Sequence, residues 1–178
     1  MYWMKIMTVI RGLWMTLWLR MKGIRVGSGF RTGRHCRFLT RGGGKITIGR
    51  GVLIGDGVTI SAIQGGTVEI GDGVGVGEYS RIMAHQKIEI RKGCNIAPHV
   101  YFYDHDHVFD KAGVHRYEYI NGSILVGADS WIGTNTVILR DTEIGEGCLI
   151  GAGSVIKGSF PDHSKVVQKR TTEVREII

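Results

Sequence analysis

The chain has 178 residues, of which 28 are glycine and only 2 proline, and 43% are apolar and spread along the length. That suffices for one domain with a buried core and excludes a disordered Pro/Gly tract. The formal charge is +7, yet the basic residues read as scattered and no aromatic-and-basic module accompanies them; nucleic acid is therefore excluded as a partner, and an anionic cofactor or a membrane surface is left to use the excess.

The first element is residues 1–24. Trp3, Ile6, Met7, Ile10, Leu13, Trp14, Leu17 and Met21 recur at steps of three and four, the stripe of an amphipathic α-helix. Lys5, Thr8, Arg11, Gly12, Thr16, Arg20 and Lys22 fall on the other half of the wheel, where Met4, Met15 and Leu19 intrude. A spanning helix needs about 20 nearly uninterrupted apolar residues, and Lys5, Arg11 and Arg20 break the run. No small-residue cleavage site marks a secretory leader. Two roles stay open over residues 1–22: a cap packed on the main domain, or an interfacial helix with Trp and Met in lipid and Arg and Lys at the headgroups. The location that follows is cytoplasmic, with or without peripheral attachment to the inner face of a membrane. Cys36, Cys94 and Cys148, an odd set with no CxxC pair, fit reduced thiols in the core.

From Val26 onward a core-type residue recurs every sixth position. The register is Val26, Thr32, Phe38; Ile48, Ile54, Ile60; Ile70, Val76, Ile82; Ile90, Ile96, Phe102; Val126, Ile132, Ile138; Ile144, Ile150, Ile156, with Thr32 the polar member. Glycine often follows, as at Gly27, Gly49, Gly71 and Gly127. Three short strands closing one triangular coil put one inward residue on each side every six, and stacking the coils buries a column that no single coil could bury. The glycines fit sharp corners with backbone angles unfavourable to other residues. The prediction is an all-β parallel β-helix over residues 25–160, followed by a basic tail, residues 161–178. Where the register slips, loops leave the coil. The long slip, between Phe102 and Val126, makes residues 103–125 an excursion, and extended loops on rigid scaffolds carry function.

The excursion opens Tyr103-Asp104-His105-Asp106-His107. Acyl transfer from a thioester to a hydroxyl needs a base for the hydroxyl proton, and neutral imidazole suits it. An adjacent carboxylate or carbonyl can fix the tautomer.

The six-residue register and this histidine segment resemble the hexapeptide-repeat acyltransferases, in particular their sugar and polysaccharide O-acetyltransferase branch. The resemblance implies a left-handed β-helix, acetyl-CoA as cosubstrate with no metal, and a homotrimer with active sites between subunits. In that pattern the catalytic histidine comes five residues after the last core residue, so Phe102 points to His107 first and His105 second, with Asp104 or a backbone carbonyl to orient it. His85 and Tyr103 fall on the acceptor side, while Gly77 stands where galactoside relatives have Asn. Val126-Gly127-Ala128-Asp129-Ser130-Trp131-Ile132-Gly133-Thr134-Asn135 resembles the signature in which the Trp borders the site and Thr134 meets the pantetheine arm. Gly151, Ala152 and Gly153 resemble the stretch whose backbone bonds the pantetheine amides. Lys157, Lys169, Arg170 and Arg175 are candidates for the CoA phosphates, although the family's Gly-x-Pro turn is missing from the tail. The expected activity is acetyl transfer to a sugar or a lipid-linked glycan. The alternatives are N-acetylation of an amino sugar and a non-catalytic or metal-binding β-helix, for which His99, His105, His107, Asp104 and Asp106 are zinc-type donors.

Overall fold

The computed structural model describes residues 2–169. After helix α1 (Tyr2–Met21), short strands wind into a parallel solenoid with three faces. One face stacks Arg25–Val26, Lys45–Ile48, Thr67–Ile70, Lys87–Ile90 and Ile124–Val126; the second stacks seven strands from Arg31–Thr32 to Lys165–Val166; the third stacks Arg37–Thr40, Thr59–Ala62, Arg81–Ala84 and Tyr101–Tyr103. Val137–Ile144 turns from the third face onto the first. Register residues sit directly over one another, Ile48 on Ile70 on Ile90 on Val126, and Ile60 on Ile82 on Phe102 on Ile138. All are buried, Thr32 included.

Two features of the repeat differ from the expectation. A second inward residue lies two positions before each register residue: Val52, Val58, Val74, Ser80, Cys94, Val100, Ser130 and Thr136 are among them. Because this smaller column admits Ser, Thr and Cys, it leaves no apolar period. Cys94 and Cys148 belong to it, and burial pushes the Cys94 thiol up to about 11. The glycines following register residues are also not the corner residues. The left-handed conformation falls two positions later, as at Gly73 (φ 71°) and His99 (φ 58°). At Gly77 the reason is distance: a Cβ there would lie 2.4 Å from Pro98 N and 2.5 Å from Ala97 C in the next coil. Backbone cannot yield as a side-chain tip does, so Gly77→Ala is expected to cost about 1–3 kcal/mol. Thermal unfolding should register this as a drop on the order of 5 °C; an unchanged midpoint would contradict the close stacking.

A solenoid end exposes unpaired strand edges and an open core. Here α1 covers the first coil, lying against Arg25–Val26 and Arg31–Thr32. Leu19 enters the core, Met15 packs beside it, and Gly12 lets the helix approach so closely that a Cβ would stand 2.2 Å from Phe30 O. The packing face is therefore the one that carried the apparent intruders Met15 and Leu19. From Met7 on, the apolar stripe, with Ile10, Leu13, Trp14, Leu17 and Met21, points to solvent.

The excursion is an ordered antiparallel hairpin, His105–Asp110 against Gly113–Asn121, with a bulge between His107 and Val108. Strand Lys165–Val166 continues the second face within the segment expected as a tail. Beyond it the Gln168 amide bonds both Val155 N and Val155 O, taking the place of a next strand.

Candidate active site

Asp104 follows Phe102 by two and points into the prism, fully buried. It stands where the coil below has Ala84, two residues beyond Ile82. Its carboxylate accepts from His85 N (2.8 Å) and Gln86 N (2.8 Å), and it lies 3.1 Å from His105 Nδ1. Ionised, it is acceptor-only, so the Nδ1 position of His105 carries a proton and Nε2 keeps its lone pair. A buried carboxylate that holds one ring nitrogen and frees the other is the arrangement a neutral imidazole base requires.

His105 is walled in. Its ring stacks on that of His85 at 3.6 Å between centroids and 14° between planes. Tyr119, from the returning hairpin strand, meets both rings edge-on, at 4.4 Å from His85 and 5.4 Å from His105. Tyr103 adds an edge contact to His105 at 6.2 Å. His85 is 6% exposed, and its Nδ1 has no hydrogen-bond partner. Burial, helped by the neighbouring His105, holds the His85 imidazole below its usual range. A histidine whose folded pKa lies below its unfolded value of about 6.5 favours the neutral folded form. Its stabilising contribution is present above that value and lost as the pH falls through the window below it. Thermal midpoints taken between about pH 7 and pH 5 should therefore fall more steeply for the wild type than for His85→Phe; parallel curves would refute the effect.

His107, ranked first by the count from Phe102, lies on the hairpin and is exposed. The expected orientation by Asp104 does not occur, since that carboxylate is occupied by His85, Gln86 and His105. The carbonyl alternative is present in a long form, His107 Nδ1 to His115 O at 3.4 Å, and the ring tilts against Tyr119 at 4.7 Å. Arg140 ties the base of the hairpin to the coil, with Nε 2.7 Å from Asp106 Oδ2 and a further bond to Asp141. Lys157 joins this cluster, 3.9 Å from Asp141. Tyr119, Gln86 and Arg140 were not singled out from the sequence, because their separations of 14 to 35 residues from His105 carry no local signal.

The cofactor-side candidates gather elsewhere. Trp131 projects from the second face, half exposed, beside Leu53, Gly75 and Asn95 in a groove of about 470 Å³ that Pro98 also lines. Thr134 Oγ1 donates to Pro98 O at 2.7 Å, and Gly153 N donates to Thr134 O at 2.7 Å. Gly151 N bonds Val166 O, and Ala152 is exposed. Lys169 is exposed, while Arg170 and Arg175 lie outside the described residues. On one chain, Trp131 is not beside the histidine hairpin: Trp131 stands on the second face, and His85 and His105 stand where the chain leaves the third. Among the described residues no group of three or more His, Cys, Asp or Glu is arranged to hold a metal ion.

Comparison with known proteins agrees with this architecture. The family model described as bacterial transferase hexapeptide (six repeats) matches residues 123–158. A probable acetyltransferase of Mycobacterium tuberculosis is 36% identical over 69% of this chain, which spans only 41% of that relative's length. The putative lipopolysaccharide biosynthesis O-acetyl transferase WbbJ of Escherichia coli is 27% identical, over 80% of this chain and 83% of its own. Among solved structures, AntD, an N-acyltransferase from Bacillus cereus seen with dTDP and coenzyme A, shares the fold with a TM-score of 0.71 at 23% identity, covering 89% of this chain and 88% of its own. The six-residue register that winds three parallel faces thus carries the bacterial transferase hexapeptide repeat over residues 123–158, in a solenoid fold shared with AntD, and the sequence relatives are described as acetyltransferases.

Proposed function

We propose that this chain transfers the acetyl group of acetyl-CoA to a hydroxyl of a sugar or of a lipid-linked glycan, with His105 as general base. The observation that carries the reading is the 3.1 Å contact between buried Asp104 and His105 Nδ1, beneath the stacked His85. Acetyl-CoA supplies the thioester. His105 Nε2 takes the acceptor hydroxyl proton as its oxygen attacks, Asp104 offsets the charge gained by the ring, and the proton then passes to the departing sulfur. His85, buried with Nδ1 unpartnered, and Tyr103 are the acceptor-side candidates, and Tyr119 packs edge-on against both histidine rings. This order of the two histidines reverses the one expected from the count, and it follows the carboxylate.

The likeness to WbbJ along most of both chains supports O-acetylation. AntD, an N-acyltransferase also seen with dTDP-4-amino-4,6-dideoxyglucose, favours a second reading, acylation of an amino sugar, for which the same base would serve. Thiol release from acetyl-CoA should be followed with parallel panels of hydroxyl and amino sugars. The O-acetyl reading requires an alkali-labile ester product, and an alkali-stable amide would replace it.

Because Trp131 and His105 stand on different faces of one prism, a site using both needs a second copy. We assign the working form to a homotrimer, with Trp131, Thr134 and the backbone of Gly151–Gly153 holding the pantetheine arm against the histidines of a neighbour. Lys157, Lys169, Arg170 and Arg175 are the candidates for the CoA phosphates. Mixing inactive His105→Ala chains with inactive Trp131→Ala chains should restore part of the activity, whereas sites built within one chain would leave the mixture dead. Residues 1–22, if they touch a membrane, would bring the site to a lipid-linked acceptor; among the described residues no helix is long and apolar enough to cross one.

A further inference from the structure

Charge is segregated along the solenoid axis. Eleven Lys and Arg and no Asp or Glu precede Asp56, whereas residues 56–178 carry 12 basic and 16 acidic side chains. The basic residues are not scattered, because coils stack in chain order and turn this asymmetry of sequence into one of space. The cations collect on α1 and the first two coils, at one end of the prism. Among the described residues, carboxylates pair with Arg34 (Asp56, 3.1 Å) and Arg50 (Asp72, 2.7 Å). Arg25, Arg31, Arg37, Arg41 and Lys45 are exposed and form no ion pair among the described residues. The same end carries the exposed stripe of α1, with Leu13 67%, Trp14 72%, Leu17 58% and Met21 74% exposed. Lys22 adds its ammonium over the Trp18 ring at 4.5 Å.

We infer that the helix-capped end of the solenoid docks on an anionic phospholipid surface, the apolar stripe of α1 entering the acyl boundary and the basic collar of the first two coils meeting the headgroups. This deepens the membrane contact raised under the proposed function and rests on it. Apolar side chains with indole rings, flanked by cations and free of acids, match a charged bilayer interface in both of its chemistries. A nucleic acid would leave the apolar stripe without a partner. A second copy would bring the two collars together and make like charges face each other. Gly12, Met15 and Leu19 tie the helix to the first coil, so it lies across the end and the prism stands away from the surface. His105 follows the fourth strand of its face, about 15 Å beyond the first coil at the usual strand spacing, a height that a lipid-linked sugar can reach.

The test is co-sedimentation of the full chain with vesicles of phosphatidylcholine alone and with added phosphatidylglycerol, at low and high salt. Binding is expected to the anionic vesicles only and to weaken with salt. Removing a cation near such a surface weakens binding about fivefold, so Arg31→Glu/Arg37→Glu should bind at least about twentyfold more weakly. Trp14→Ser/Leu17→Ser should lose binding, with its thermal midpoint and its turnover of a water-soluble acceptor unchanged. Undiminished binding by Arg31→Glu/Arg37→Glu, or equal binding to neutral vesicles, overturns the collar while leaving contact by α1 itself intact. No vesicle binding by the wild type overturns both. Its replacement by a change of oligomeric size in Trp14→Ser/Leu17→Ser assigns the stripe to a second copy. The vesicle-binding readouts do not need turnover, so failure of the acyltransfer reading stays separate.

Discussion

His105→Ala is expected to lower kcat for acetyl transfer by about 10²–10⁴-fold, the usual contribution of a positioned general base, with little change in KM for acetyl-CoA. His107→Ala should keep most of the turnover. Both imidazoles lie on the same hairpin strand, but only His105 has a buried carboxylate on Nδ1 and rings on its flanks. A base needs a fixed tautomer and a ring that does not swing away, and the exposed His107 has one long contact to a backbone carbonyl. Initial rates of thiol release for the two variants beside the wild type decide the matter. If His107→Ala is dead and His105→Ala is active, the assignment reverses; if both retain full activity, the base is not in this segment. The test also separates rate from folding, because His105 is not itself part of the core column, and its alanine variant should keep the wild-type thermal midpoint within a few degrees.

Asp104→Ala should lose both rate and stability. The carboxylate receives two backbone N–H groups, of His85 and Gln86, and the variant leaves them without it. Each buried donor left unpaired costs roughly 1–3 kcal/mol, so the loss of stability is on the order of 3–5 kcal/mol. Freed from its carboxylate, the His105 ring is no longer held within the ångström that matters, and kcat should fall about 10²-fold. Asp104→Asn is the sharper probe. It keeps the volume but has one acceptor oxygen, and its amide N–H groups must oppose a donor. A smaller loss of stability with a similar loss of kcat is expected, read from thermal melts and from kcat and KM taken separately. An Asn variant with wild-type kcat would remove Asp104 from the mechanism and leave it a corner-closing residue.

The spacing of Ile48, Ile54 and Ile60 determined the solenoid before any coordinate. A residue recurring every six, three to a coil, has no α-helical or two-residue alternative, and coordinates place the same residues in register on successive coils. The place of the excursion was equally legible from the gap between Phe102 and Val126. The second inward column was not, because positions such as Ser80, Cys94 and Ser130 mix small polar with apolar residues. The corner role given to the glycines after register residues was misjudged for a related reason: at Gly77, one of that set, the constraint comes from Pro98 on the next coil, not from its own backbone angles.

Tertiary structure alone decided the rest. Which half of α1 faces the core depended on where a helix axis can approach Phe30, and Gly12 with Leu19 outweighed a longer apolar stripe. Which histidine meets Asp104 depended on the coil below, whose His85 and Gln86 amides draw the carboxylate inward from 19 and 18 residues away. Sequence spacing sets which residues lie on one column, because that is a property of the strand and its turn. Where the chain leaves the column, direction is set by the donors and rings waiting on neighbouring coils, and no count along the chain contains them.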